Sequence, residues 1–185
     1  AGYSSELTLA ITSYLSCVVN KLADYNSTIV TWQPMGEKGK NTFARWALPM
    51  TWDFVEPNPI GTGSATCENT LDWILDPIEN IAHAAVCDSV VVVNGSATEP
   101  FAGKFDAIVT DPPYYDAIPY ADLSDFFYVW LRRSVGDIFG TVFAEALSPK
   151  RDEIVQHASH HEGNQNAAKL AYEAAMAKTF QCACD

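Results

Sequence analysis

The run Val109-Thr110-Asp111-Pro112-Pro113-Tyr114-Tyr115-Asp116 constrains this chain more than any other segment. It follows an apolar stretch, Phe105 to Val109, which reads as a buried strand ending in a turn. Proline lacks a backbone donor and fixes φ, so two in succession make a stiff corner whose carbonyls point one way. At such a corner Asp111 and the Pro112 carbonyl offer two acceptors that converge on one planar NH2 group. Pro113 completes the corner, and Tyr114 supplies an aromatic face on which an unstacked base can lie. Ligands of open α/β sheets bind at the carboxyl ends of strands, where the pattern puts this turn.

The continuation from Asp111 reads Asp-Pro-Pro-Tyr-Tyr-Asp-Ala-Ile-Pro-Tyr-Ala-Asp-Leu-Ser-Asp-Phe-Phe-Tyr-Val-Trp-Leu-Arg-Arg, ending at Arg133. Three further stretches are Ala23-Asp24-Tyr25-Asn26-Ser27, Ala47 through Pro59 (Ala-Leu-Pro-Met-Thr-Trp-Asp-Phe-Val-Glu-Pro-Asn-Pro), and Asn94-Gly95-Ser96-Ala97-Thr98. Together they resemble the large adenine-specific DNA methylases, whose longer chains carry a zinc-ribbon segment elsewhere. The resemblance covers nearly the whole chain. It implies methyl transfer from S-adenosylmethionine to the exocyclic nitrogen of adenine in DNA, with Asp111, Pro112, Pro113 and Tyr114 as the catalytic turn. It also implies an α/β, Rossmann-like methyltransferase fold, incomplete here, and DNA contacts made through the rest of a longer parent chain. In that family the loop cradling the cofactor lies far upstream.

The chain has 185 residues, enough for one domain with a real core. A hydrophobic share of 48% against 18% charged residues excludes a disordered chain. No apolar run is long enough to span a bilayer, so no membrane partner is expected. The net charge of −12 opposes a direct role in holding nucleic acid, since phosphate neutralisation supplies most non-specific affinity. Arg132, Arg133, Lys150 and Arg151 are the nearest approach to a basic group. The five cysteines are odd in number and scattered, which favours a reducing, cytoplasmic setting over a disulfide framework. Cys182 and Cys184 lack the usual zinc spacing, so no metal site is expected. The chain does not open on Met, and its last helix lacks a stop signal, so it reads as a fragment.

Apolar spacing predicts helices over Leu7 to Asp24, Thr70 to Ala85, Tyr120 to Ser134 and Ala167 to Cys184, with Pro77 as a kink or break in the second. Val90 to Val93 and Phe105 to Val109 read as strands of a doubly wound sheet. Gly36 to Lys40 and Pro57 to Thr66 read as loops, and Phe43 to Phe54 leaves helix and coil open. One methyltransferase-type domain over 1–185 is expected, mainly helical or irregular over 1–89 and α/β over 90–185.

Asn94 to Thr98 follows the first predicted strand, where such folds contact the adenine or ribose of the cofactor. Asn94 and Ser96 are therefore candidate cofactor residues, although Ser96 stands where many methyltransferases carry an acid, and a plain turn is an equal reading. Tyr115 and Asp116 are candidates for holding the target base and ordering the loop. Tyr120, Asp122 and Asp125 read as the start of a helix. Gly61-Thr62-Gly63 is glycine-rich but follows no clean strand, which argues against a cofactor loop. Trp52, Asp53, Phe54, Glu56 and Asn58 read as an aromatic core plug with exposed acids or as a cleft wall. His157, His160 and His161 read as an exposed polar connection. Two rivals stay open: an amino-methyltransferase acting on cytosine, RNA or a protein amide, and a non-catalytic interaction domain of a DNA modification or defence assembly.

Overall fold

Ser4 opens the first helix by accepting the Leu7 N–H on its hydroxyl at 3.2 Å, satisfying one of the donors that a helix start leaves unpaired. In the computed structural model this helix, α1, runs Ser5–Tyr25. The structure describes residues 2–45, 47–84, 90–115 and 118–184, in two compact units. Unit 1 comprises Ala1–Val86 and Asp122–Ser148; unit 2 comprises Cys87–Ala121 and Pro149–Asp185.

In unit 1, α1 packs against α2, Cys67–Ala84. The contact centres on Trp73, whose ring lies 6.3 Å from that of Tyr25, with the Lys21 ammonium 4.9 Å above it. Burial first, then the charge of Asp24, hold the Tyr25 hydroxyl above the ordinary tyrosine pKa. Thr66 begins α2, its hydroxyl accepting from the Asn69 N–H at 3.2 Å. Pro77 sits inside α2, and helical turns continue on both sides of it. Beyond α1 the chain is clasped by polar contacts. The Asp24 carbonyl accepts from both the N–H and the hydroxyl of Thr42, at 2.8 and 2.6 Å. Val30, fully buried, offers its carbonyl to the Val55 N–H at 2.8 Å.

The expected loop over Gly36 to Lys40 is part of a small hairpin. Strand β1, Trp32–Gln33, pairs antiparallel with β2, Lys38–Gly39, around a tight turn at Pro34–Gly36. Glu37 closes that turn with a left-handed φ of 46°. The described part of Phe43 to Phe54 forms turns and bends. Phe43 meets Phe126 and Phe127 of α3, Tyr120–Val135, at ring distances of 5.4 and 5.7 Å. Asp125 does not cap α3; its carboxylate takes the N–H and hydroxyl of Ser148.

Unit 2 is organised on α4, Gln165–Cys184. Asn164 caps it through the Ala167 N–H at 3.1 Å. Glu162 and Gly163 turn the chain into it with φ of 53° and 83°. The stretch Asp152 to Gln165 is only partly exposed: Val155 is buried, and Ala158–His161 forms a short 3-10 turn.

The doubly wound α/β sheet is not what these residues form. Helix accounts for 47% and strand for 2%, and the β1–β2 hairpin is the one sheet among the described residues. Val90 to Val93 and Phe105 to Val109 carry strand composition but join no ladder, and their apolar side chains stand open, Val92 at 90%. A strand is stable only where a neighbour takes its backbone groups, so composition alone does not make one. No helix among the described residues is long and apolar enough to cross a membrane.

Gly136 ends α3 with its N–H on the Arg132 carbonyl, and a Cβ there would lie 2.2 Å from that same oxygen. Gly136→Ala is expected to destabilise unit 1 by about 1–3 kcal/mol, read as a lower urea midpoint against wild type.

Candidate functional site

The Pro-Pro corner has no backbone N–H to offer, so the chain can anchor it only through its carbonyls and its flanks. In unit 2 that anchor comes from α4. The Tyr172 hydroxyl donates to the Pro113 carbonyl at 2.8 Å. The Tyr172 ring meets Tyr115 edge-on, centroids 4.8 Å apart. The Tyr115 hydroxyl in turn donates to Glu173 Oε1 at 2.9 Å, and its carbonyl accepts the Gln156 N–H at 3.3 Å. Pro113 is half-buried by this clamp, while Asp111, Pro112 and Tyr114 are exposed, Tyr114 at 64%. Asp116 lies outside the described residues.

Tyr115 holds its proton above the ordinary tyrosine value. Desolvation is the larger cause, followed by the hydrogen bond to Glu173, then the charges of Glu173 and Tyr172.

Ser96 begins a compact turn. Its hydroxyl shares a 2.8 Å hydrogen bond with that of Thr98, and its carbonyl accepts the Glu99 N–H at 3.1 Å. The Cys182 thiol on α4 donates to the Thr98 carbonyl at 3.4 Å, tying this turn to the same helix that clamps the corner. Ser96, Thr98 and Glu99 line a cavity of about 550 Å³ in unit 2. Its floor is the α4 face from Ala171 to Lys178; Arg151 through Val155 and His161 form the remaining walls. Tyr172 belongs to both places: it lines this cavity and holds the Pro113 carbonyl. Asn94 is exposed and does not line the cavity.

Charges of both signs meet in this lining. Arg151 and Lys178 are cationic, and Glu99, Asp152 and Glu153 are anionic. Glu153 is the most constrained: Oε1 accepts the Ala121 N–H at 2.9 Å, while Oε2 is buried without a partner. Sequence reasoning missed Glu153, Tyr172 and Glu173 as site residues. The signals were slight: a lone carboxylate ahead of two valine-type residues, and one tyrosine in an alanine-rich helix.

The remaining candidates lie apart from the cavity. The Gly61-Thr62-Gly63 loop belongs to unit 1, where Asn58 accepts the Ile60 N–H and Thr66 leads into α2. It does open into a helix, but no strand precedes it. The core-plug reading of the Trp52 segment fails, because Trp52 is 90% exposed and Asp53, Phe54 and Glu56 are exposed with it. His157, His160 and His161 are half-buried rather than open, and the His157 ring lies 5.4 Å from that of His160.

No protein-family model matches this chain, nor does any curated protein or solved structure.

Two outcomes follow from the clamp. Tyr172→Phe keeps the ring contact and removes the hydroxyl, so the chain is expected to lose about 1 kcal/mol and to be cut faster by protease around 109–115. The Tyr115 hydroxyl is held protonated above its unfolded value, so its bond to Glu173 contributes fully below that value and is lost as pH rises through the folded pKa. Absorbance titration at alkaline pH is expected to lose its late tyrosinate step in Tyr115→Phe and to shift that step downward in Glu173→Gln.

Proposed function

We propose that this chain carries the acceptor turn of an S-adenosylmethionine-dependent methyltransferase acting on the exocyclic amino group of adenine in DNA. The observation that supports it is the division of labour at the corner. Tyr172 occupies the Pro113 carbonyl, while Asp111 and Pro112 stay exposed beside the open ring of Tyr114. The acceptor turn carries this proposal, not a sheet.

An amino nitrogen conjugated to a purine is a poor nucleophile because its lone pair is shared with the ring. Asp111 and the Pro112 carbonyl, accepting its two N–H groups, favour a pyramidal nitrogen with a localised lone pair. The Asp111 carboxylate is also the nearest base to take the proton that this nitrogen gives up. Tyr114 offers the face on which the flipped base stacks. The clamp of Tyr172 and Tyr115 keeps the acceptors from having to reorganise during reaction, which is where positioning contributes to rate.

The cavity beside the corner fits a small zwitterionic nucleoside. Its volume lies within the range of small-molecule sites. Glu99 and Glu153 suit ribose hydroxyls and positive charge, and Arg151 and Lys178 suit a carboxylate; Ser96 and Thr98 add hydroxyls. When bound, S-adenosylmethionine supplies an electrophilic methyl group. Ser96 is retained as a cofactor residue on this reading; Asn94, outside the cavity, has no such support. Contacts to DNA phosphates fall to other parts of the protein that holds this chain, acting in the reducing cytoplasm.

The charge of −12 favours one second reading, in which the same turn accepts the planar amide of a protein rather than a DNA base. Methylation assays on DNA, RNA and protein substrates, using the protein that holds this chain, separate the two. Asp111→Ala is expected to abolish transfer to the true substrate, and Tyr114→Ala to raise KM more than it lowers kcat. Full activity in Asp111→Ala would end the proposal. Calorimetric titration of this chain with S-adenosylmethionine is expected to show binding that Ser96→Ala and Lys178→Ala weaken and Asp111→Ala spares.

A further inference from the structure

Four oxygen atoms in unit 1 are buried without any hydrogen-bond partner, two from each of the packed helices. They are Asn20 Oδ1 and Asp24 Oδ1 on α1, and Asn69 Oδ1 and Thr70 Oγ1 on α2. Asp24 is 6% exposed and Thr70 is 0% exposed. The other Asp24 oxygen is satisfied by the Asn41 amide at 2.9 Å. No cationic side chain among the described residues pairs with this carboxylate; the nearby Lys21 ammonium lies over the Tyr25 and Trp73 rings instead. An ionised oxygen so placed costs several kcal/mol unless something compensates its charge.

The helix contact brings the four oxygens to one side. Trp73 touches Lys21 and Tyr25, so this face of α2 meets that stretch of α1. Asn69 and Thr70 lie four and three residues before Trp73, on the same face of α2. Asn20 and Asp24 are four apart on α1 and each directly precedes one of the two residues that Trp73 touches. The charge of Asp24 also reaches the Tyr25 hydroxyl, consistent with a carboxylate turned toward this contact.

We propose that these oxygens form a binding site for a hard metal cation, of the calcium and magnesium class, between α1 and α2. The donors are one carboxylate, two amide carbonyls and one hydroxyl, all oxygen. Hard cations take such a set, whereas zinc and copper favour nitrogen and sulfur. A buried water satisfies one or two acceptors but leaves the Asp24 charge uncompensated. A cation answers both demands, and it pins the helix pair on which unit 1 is built. With a single formal charge the site binds weakly, at about 1 mM, near the weak end of protein calcium sites. The site is separate from the acceptor turn and stands or falls apart from the methyltransferase proposal.

The test uses the whole chain. Calcium chloride or magnesium chloride, each against sodium chloride of equal ionic strength, is expected to raise the melting temperature. Terbium(III), an oxygen-seeking lanthanide whose emission a nearby indole sensitises, is expected to give Trp-excited emission that Trp73→Phe removes. Asp24→Asn is expected to abolish the thermal shift and the emission. Thr70→Val, nearly isosteric and remote from the Asn41 contact, is expected to weaken terbium affinity several-fold. The proposal is overturned if neither divalent salt shifts melting beyond the sodium control. It is equally overturned if both variants respond as wild type does, because the ions then gather diffusely on an acidic surface.

Discussion

The hydrogen bond from Tyr172 to the Pro113 carbonyl is the contact on which the candidate site depends. Two adjacent prolines cannot donate, so a Pro-Pro corner in open chain has few ways to be fixed. Here α4 fixes it, and α4 is itself placed by a local sequence device. Glu162 and Gly163 adopt left-handed backbone, Asn164 caps the first turn, and fully buried Ala168 seats the helix one turn before Tyr172. Because Tyr172 also lines the cavity, the same side chain orders the acceptor corner and bounds the space beside it.

How much of this was legible in the sequence follows from the range of the forces involved. Helices are legible because their hydrogen bonds and caps are local: α1, α3 and α4 begin and end within two residues of what apolar spacing and capping predict. Strands are not local. Val90 to Val93 has the composition of a buried strand, yet a ladder needs a second segment, and none among the described residues supplies one. The hairpin shows the reverse case, since Pro34, Glu37 and Gly39 form strand pairing where the polar composition suggested only loop.

The candidate site divides in the same way. Asp111 through Tyr114 is a contiguous motif, and its chemistry can be read from four letters. The cavity is assembled from three separated stretches, 96–99, 151–161 and 171–178, so no single window discloses it. Ser96 could be named from its turn, but Glu153 and Lys178 gain meaning only from what stands opposite them. The Trp52 segment shows the limit of composition from another side. Aromatic richness signals burial on average, and Trp52 is almost wholly exposed.

Charge bears on what the site can handle. A chain of net charge −12 repels a phosphate backbone over the Debye length of about 8–10 Å, and the cavity does not locally reverse that. Arg151 faces its neighbour Asp152 at 3.7 Å with both side chains largely exposed, a pair that contributes little and does not act as a free cation. Lys178 is balanced by Glu99 and Glu153 in the same lining. Mixed signs at short range suit a ligand that is itself zwitterionic, and an acceptor corner suits a neutral amino group; neither suits a polyanion. The physical chemistry therefore separates two tasks that nucleic-acid methylation requires, capture of the amino group and capture of the phosphates, and these residues are built for the first.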